Sequence, residues 1–179
     1  MPTKADFFAD LRTKIRDHQS DVVTVFQPLD DTALTWRPNA KEWSVLICFD
    51  HLLQTYGYYQ PKIERALLAP QKENGGGYRS SFWGSIYLFF ALNPRWSFPT
   101  PNALMPSATP ERAVFARYLA KEQRVLDLLQ SLDGVDVTRT RIPIEKGITF
   151  NLGDCLRFLV YHDSLHIRQA HEVLAQYLA

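Results

Sequence analysis

The chain has 179 residues, 46% of them hydrophobic, which supplies one domain of ordinary size with a real core. Its 20 basic and 19 acidic side chains leave a net charge of +1, which argues against nucleic acid or an anionic membrane as partner. The segment Met1 to Lys14 lacks the apolar run of a signal peptide, and the most apolar stretch, Ile86 to Leu92, is too short to span a bilayer. These features lead to the expectation of a soluble, cytoplasmic protein. Cys48 and Cys155 lie among apolar neighbours and read as buried free thiols of a reducing compartment.

The first predicted helix runs from Asp6 to Phe26, where Phe8, Leu11, Ile15, His18, Val22 and Val25 recur at steps of three and four until Pro28 stops the run. Leu29 to Ala40 reads as a connector, with Trp36 plugging one end of the fold. The second helix, Glu42 to Leu68, is apolar on most sides and so buried from more than one direction, with Pro61 expected to kink or divide it. Pro70 to Pro110 is the least regular region. It holds the loop Asn74-Gly75-Gly76-Gly77, a short aromatic helix over Ser80 to Leu92, and the prolines Pro94, Pro99, Pro101, Pro106 and Pro110. So long a connector has three readings: it covers one end of the helices, roofs a ligand pocket, or forms a subunit interface that makes a homodimer. The third helix is predicted from Thr109, as N-cap, to Leu132. Val135 to Asn151 is extended, with any strand short and on an edge because of Pro143 and Gly147. The fourth helix runs from Leu152 to about Tyr177. Four long amphipathic helices and no repeat or linker predict an all-α fold, a four-helix bundle forming a single domain over residues 1–179, with the aromatic, Pro-rich connector between helices two and three.

The chemistry sits on the fourth helix. Its inward seam reads Cys155, Leu159, His162, His166, Gln169, Val173, so His162 and His166 share one face about a turn apart and point into the core. Two buried imidazoles need partners, and one metal ion satisfies both. His51, on the deeply apolar second helix, is the natural third ligand, with Asp50 before it and Gln54 one turn on. Three imidazoles with an open position suit a catalytic or ligand-binding site for Zn²⁺, Ni²⁺, Fe²⁺ or Mn²⁺. His171 falls about half a turn round the helix from His162 and reads as a surface residue.

Glu122 and His18 also fall on apolar seams. Glu122 is a fourth ligand, a general base or an acceptor orienting a histidine, or else a solvated position on a slightly rotated helix, which is the preferred reading. For His18 the preferred reading is a hydrogen-bonded core or boundary histidine. Gln169 is placed to hydrogen-bond a metal-bound water, and Asp163 reads equally as an outer partner of the site or as an exposed acid. The sequence has no Gly-x-Ser-x-Gly, phosphate loop, Gly-x-Gly-x-x-Gly or Cys-x-x-Cys.

Trp43-Ser44-Val45-Leu46, Asp50-His51-Leu52-Leu53 and Tyr161-His162-Asp163-Ser164-Leu165-His166-Ile167-Arg168-Gln169 together resemble the DinB/YfiT-like superfamily. Pro99 to Pro106 and Asn151-Leu152-Gly153-Asp154 resemble it too, whereas Ser80 to Trp96 matches nothing specific. The resemblance implies a four-helix bundle with a divalent metal on His51, His162 and His166. It also implies a transferase or isomerase that uses a low-molecular-weight thiol such as bacillithiol, mycothiol or glutathione as co-substrate. On that reading Arg79 and Arg95 are candidates for a carboxylate or phosphate of the thiol, against the plainer reading of surface arginines. The alternatives are a metal-dependent hydrolase using a metal-bound water with Glu122 as base, and a non-catalytic stress-response metal-binding module.

Overall fold

The computed structural model describes residues 3–69, 77–92, 99–145 and 147–179. Arg95, Pro94 and the glycines of the 74–76 loop lie outside them.

Each long helix starts where a short polar side chain takes up a free backbone N–H. Helix α1 (Lys4–Asp21) opens with a reciprocal box between Thr3 and Asp6, and it continues as one π-helical turn, Val22–Phe26. The predicted end at Phe26 therefore stands. Inside the expected connector lies a one-turn helix, α2 (Asp31–Thr35), capped by Asp30 through the Ala33 N–H at 2.8 Å. Trp36 follows it, half-buried against Tyr177 with ring centres 5.7 Å apart.

Helix α3 (Val45–Leu67) is capped by Ser44 and runs undivided through Pro61. It starts three residues later than expected, because Ser44 takes the Ile47 N–H and leaves Trp43 outside the helix. Helix α4 (Phe82–Ala91) is capped by Ser81. Helix α5 (Val114–Ser131) corrects the predicted start at Thr109. The Thr109 N–H is bonded to Ser107 Oγ, and Arg112 is drawn to the carbonyls of Gln27 and Leu29. The first turn instead closes tightly, from the N–H groups of Val114 and Phe115 to Glu111 and Arg112.

Strands β1 (Arg141–Glu145) and β2 (Ile148–Asn151) form an antiparallel hairpin in which Pro143 sits opposite Thr149. Gly147, at φ +85°, makes the turn. Helix α6 (Leu152–Leu178) follows β2 directly, with Asn151 and Asp154 forming its capping box. Asp154 is fully buried and also accepts from Tyr78, Ser80 and the Ser81 N–H, so one carboxylate ties the start of α4 to the start of α6. The fit requires a glycine at position 84, where a Cβ would lie 2.2 Å from Asp154 Oδ2.

The fold is mostly helical with little sheet. Helices α1 and α3 each pack on both α5 and α6. Two apolar clusters fill the interior. One holds Phe8, Leu11, Ile15, Tyr59, Ile63, Val125, Leu129, Leu156 and Leu159; the other holds Val22, Phe26, Val45, Phe49, Phe115, Tyr118, Ile167 and Val173. Along each of the four helices the change from one cluster to the other falls at buried polar residues. These are His18 on α1, His51 and Thr55 on α3, Lys121 and Glu122 on α5, and His162 and Asp163 on α6. The interior is thus divided by a polar layer, and the candidate chemistry lies in it. No described helix is long and apolar enough to cross a membrane.

Candidate metal centre

His51, His162 and His166 converge, with one ligand nitrogen of each lying within 4.8 Å of the others. Ring centres are 5.1 Å apart for His51–His162, 4.6 Å for His51–His166 and 4.5 Å for His162–His166. Partners on the far sides fix the rings. His51 Nδ1 lies 2.9 Å from the Leu104 carbonyl, which can only accept, so that nitrogen carries the proton and Nε2 offers its lone pair. His166 Nδ1 lies 2.8 Å from Gln169 Oε1, with the same consequence for its Nε2. His166 Nε2 then faces His162 Nε2 at 3.1 Å, while His162 Nδ1 is buried with no hydrogen-bond partner among the described residues.

This donor set fits a divalent metal ion: three imidazoles, two of them held in the ligating tautomer by outer partners. Electrostatics favour the neutral, ligating form. Burial pushes His51 down. Burial, with His51 beside it, takes His166 down to about 4. Burial, then His166, His51 and Lys121, holds His162 well below the ordinary range. None of the hydrogen bonds that the described residues make to these rings comes from a carboxylate.

The walls are largely apolar. Trp43 lies against His51 and His166, with ring centres at 4.8 and 5.5 Å, and Phe158 against His162 at 4.9 Å. Part of the Pro-rich connector covers His51: the 3₁₀ turn Asn102–Leu104 supplies the carbonyl, and Asp50 takes the Ser107 N–H at 2.8 Å. Gln169 is thus placed on His166 as the acceptor that orients it.

Glu122 overturns the preference for a solvated position. It is completely buried, because the neighbouring helices supply what its own seam lacks. Its Oε1 accepts from Tyr118, lies 3.2 Å from His18 Nδ1 and 3.6 Å from Lys121 Nζ. Lys121 Nζ also contacts Asp163, and His18 Nε2 lies 2.7 Å from Ser164 Oγ. Burial works to raise the Glu122 carboxyl, but Lys121 and His18 outweigh it and hold it at about 2. Burial pushes Asp163 up against the pull of Lys121. Glu122 therefore belongs to a second buried cluster with His18, Asp163 and Lys121, joined to the three-histidine site by the consecutive residues His162 and Asp163. His18 is the hydrogen-bonded core histidine expected, and Asp163 is buried rather than exposed. Lys121 was missed. The one signal for it is its place three residues after Tyr118, on the edge of the seam that carries Glu122.

Arg79 is exposed, and its backbone bridges Thr138 and Asn151 at the start of α6. From there His162 is about 16 Å along the helix axis, so the structure does not bring Arg79 to the histidines. His171 is half-buried, paired with Asp21 at 3.0 Å, and apart from the three-histidine set. Cys48 and Cys155 are buried free thiols, and burial holds both in the protonated form, Cys48 up to about 12. Cavities beside the helices include one of about 160 Å³ next to Tyr56 and Arg124 and one of about 530 Å³ next to Phe89 and Arg157; neither of these is lined by the three histidines.

Neither curated proteins nor solved structures give a match to this sequence. The family profile described as the DinB superfamily matches residues 14–170, a span that takes in α3, α5, most of α6 and all three converging histidines. The chain belongs to the DinB superfamily.

Proposed function

We propose that the four long helices are a four-helix bundle of the DinB/YfiT type, that His51, His162 and His166 hold one divalent metal ion, and that the loaded protein is an S-transferase for a low-molecular-weight thiol. The observation that carries the reading is the neutrality of the donor set: three imidazoles kept unprotonated by burial, with no carboxylate of the described residues bonded to them. A divalent metal on such ligands retains its full charge, favours an anionic fourth ligand and lowers the pKa of a bound thiol. His51 and His166 are positioned by Leu104 and Gln169, so the protein contributes a prearranged face rather than one assembled on binding. Trp43 and Phe158 keep that face apolar, which suits a thiolate meeting an apolar electrophile in a water-poor setting. The two buried free thiols suit a reducing cytoplasm, where low-molecular-weight thiols are kept reduced.

Hydrolysis with Glu122 as general base has less support, because Glu122 is completely buried in the cluster with His18, Lys121 and Asp163 and is not among the hydrogen-bond partners of the three histidines within the described residues. The test is conjugation of a small thiol to monochlorobimane by protein purified without a His-tag and assayed for metal. Conjugation that requires metal and is lost in His162→Ala supports the reading. Conjugation unchanged in His162→Ala overturns it.

A further inference from the structure

We propose that His18, Glu122 and Asp163 form a second divalent-cation site, in which the Lys121 ammonium is a tethered cation that the metal displaces. The three residues come from α1, α5 and α6, all are buried, and one ligand atom of each lies within 4.8 Å of the others. One imidazole nitrogen and two carboxylates make a harder donor set than the three histidines, one suited to Mn²⁺ or Fe²⁺.

A second observation points to a ligand. Glu122 Oε2 is buried with no hydrogen-bond partner among the described residues, although the side chain is completely withdrawn from solvent. A buried carboxylate oxygen left unpaired is costly, and a cation reaching both oxygens removes that cost. His18 Nε2 is committed to Ser164 Oγ, which leaves Nδ1, already facing Glu122, as the ligand nitrogen.

Lys121 now fills the cation's role, in contact with Asp163 and 3.6 Å from Glu122. It also has somewhere to go. Its Nζ lies 4.6 Å from the Tyr118 ring centre and 5.9 Å from that of Tyr56, and Tyr56 lines the cavity of about 160 Å³ together with Gln60, Glu64 and Arg124. An ammonium displaced over the Tyr56 ring moves toward that cavity. Two carboxylates then balance the divalent charge. This inference makes no use of the three-histidine reading and stands or falls separately from it.

The test uses Mn²⁺ alone, followed by its electron paramagnetic resonance signal, on the full chain carrying His162→Ala and His166→Ala, with folding checked by circular dichroism. We expect one equivalent of Mn²⁺ to bind. Adding His18→Ala is expected to weaken binding by at least about tenfold. Adding Lys121→Met instead is expected to tighten it about tenfold, an effect that a purely structural lysine does not produce. A folded His162→Ala/His166→Ala protein that takes up no Mn²⁺, or one whose uptake ignores His18→Ala, overturns the proposal. If that variant does not fold, anomalous scattering from Mn²⁺-soaked crystals of the unaltered chain decides it. A peak between His18, Glu122 and Asp163 supports the site, and a peak only at the three histidines overturns it.

Discussion

His166 Nε2 lies 3.1 Å from His162 Nε2 across one turn of α6, and the hydrogen bond from His166 Nδ1 to Gln169 makes the first of these a bare lone pair. A single proton on His162 can bridge the two rings, but it leaves the His51 Nε2 lone pair, on the same point, without a donor among the hydrogen bonds of these rings. A divalent ion serves all three. An ion that binds only the folded arrangement adds to stability by mass action, about 2.7 kcal/mol at a concentration one hundred times its Kd. For a chain of this size that is a rise in Tm of roughly 5–10 °C. Scanning calorimetry of chelator-treated protein with and without Zn²⁺ should read this shift, and His162→Ala should remove most of it.

The same burial makes the metal-free protein sensitive to acid. Free imidazoles take up a proton near pH 6.5, whereas folding holds His166 at about 4 and lowers His51 and His162 as well. Between those values the unfolded chain binds more protons at these three rings than the folded one, so their contribution to stability is complete above pH 6.5 and is lost as pH drops toward 4, while the upward push of burial on Asp163 works in the opposite direction. His166 alone accounts for a loss on the order of 3 kcal/mol across that window. Urea denaturation in chelator at pH 7.5, 6, 5 and 4.5 should show the stability difference between the unaltered chain and His166→Ala shrinking as pH falls toward 4.5.

Gln169 Oε1 sets which nitrogen of His166 is free. Without it the ring can turn or change tautomer. Gln169→Ala is expected to weaken Zn²⁺ binding by about 10–100-fold while leaving the helix content unchanged. Competition against a fluorescent chelator measures this directly, and an affinity within twofold of the unaltered protein would assign His166's orientation to packing against Trp43 instead.

The long helices and the inward face of His51, His162 and His166 were legible in the sequence because both follow from the 3.6-residue period of one helix at a time. Cap-level detail was legible only where one side chain decides it. Helix α6 starts at Leu152 as expected, but Ser44 rather than Glu42 sets the start of α3, and tertiary bonds from Ser107 and Arg112 override Thr109 as a cap. Glu122 shows the deeper limit. Judged on its own seam it is an unpaired acid and belongs in water. It is buried because His18, Lys121 and Tyr118 meet it, a compensation assembled from α1 and α5 that no single-helix pattern contains. The outer partner of His51 was hidden for a related reason: it is a backbone carbonyl in the Pro-rich connector, and a carbonyl leaves no mark in the residue types.

Lys121 and Asp163 are in direct contact, each almost wholly withdrawn from solvent, within the polar layer that parts the two apolar clusters. Neither charge is favourable there alone. Removing one partner strands the other and is expected to cost about 3–5 kcal/mol, whereas replacing both by apolar groups of similar volume removes the desolvation penalty along with the attraction. Lys121→Met and Asp163→Leu should therefore each destabilise the chelator-treated protein strongly. The double variant should recover part of that loss, with a coupling of about 1–3 kcal/mol in a double-mutant cycle by urea denaturation. Glu122 keeps Tyr118 and His18 in the double variant but loses Lys121, so the recovery is partial. Additive losses would mean that Asp163 is held chiefly by Tyr118, whose hydroxyl lies 3.1 Å from its Oδ2.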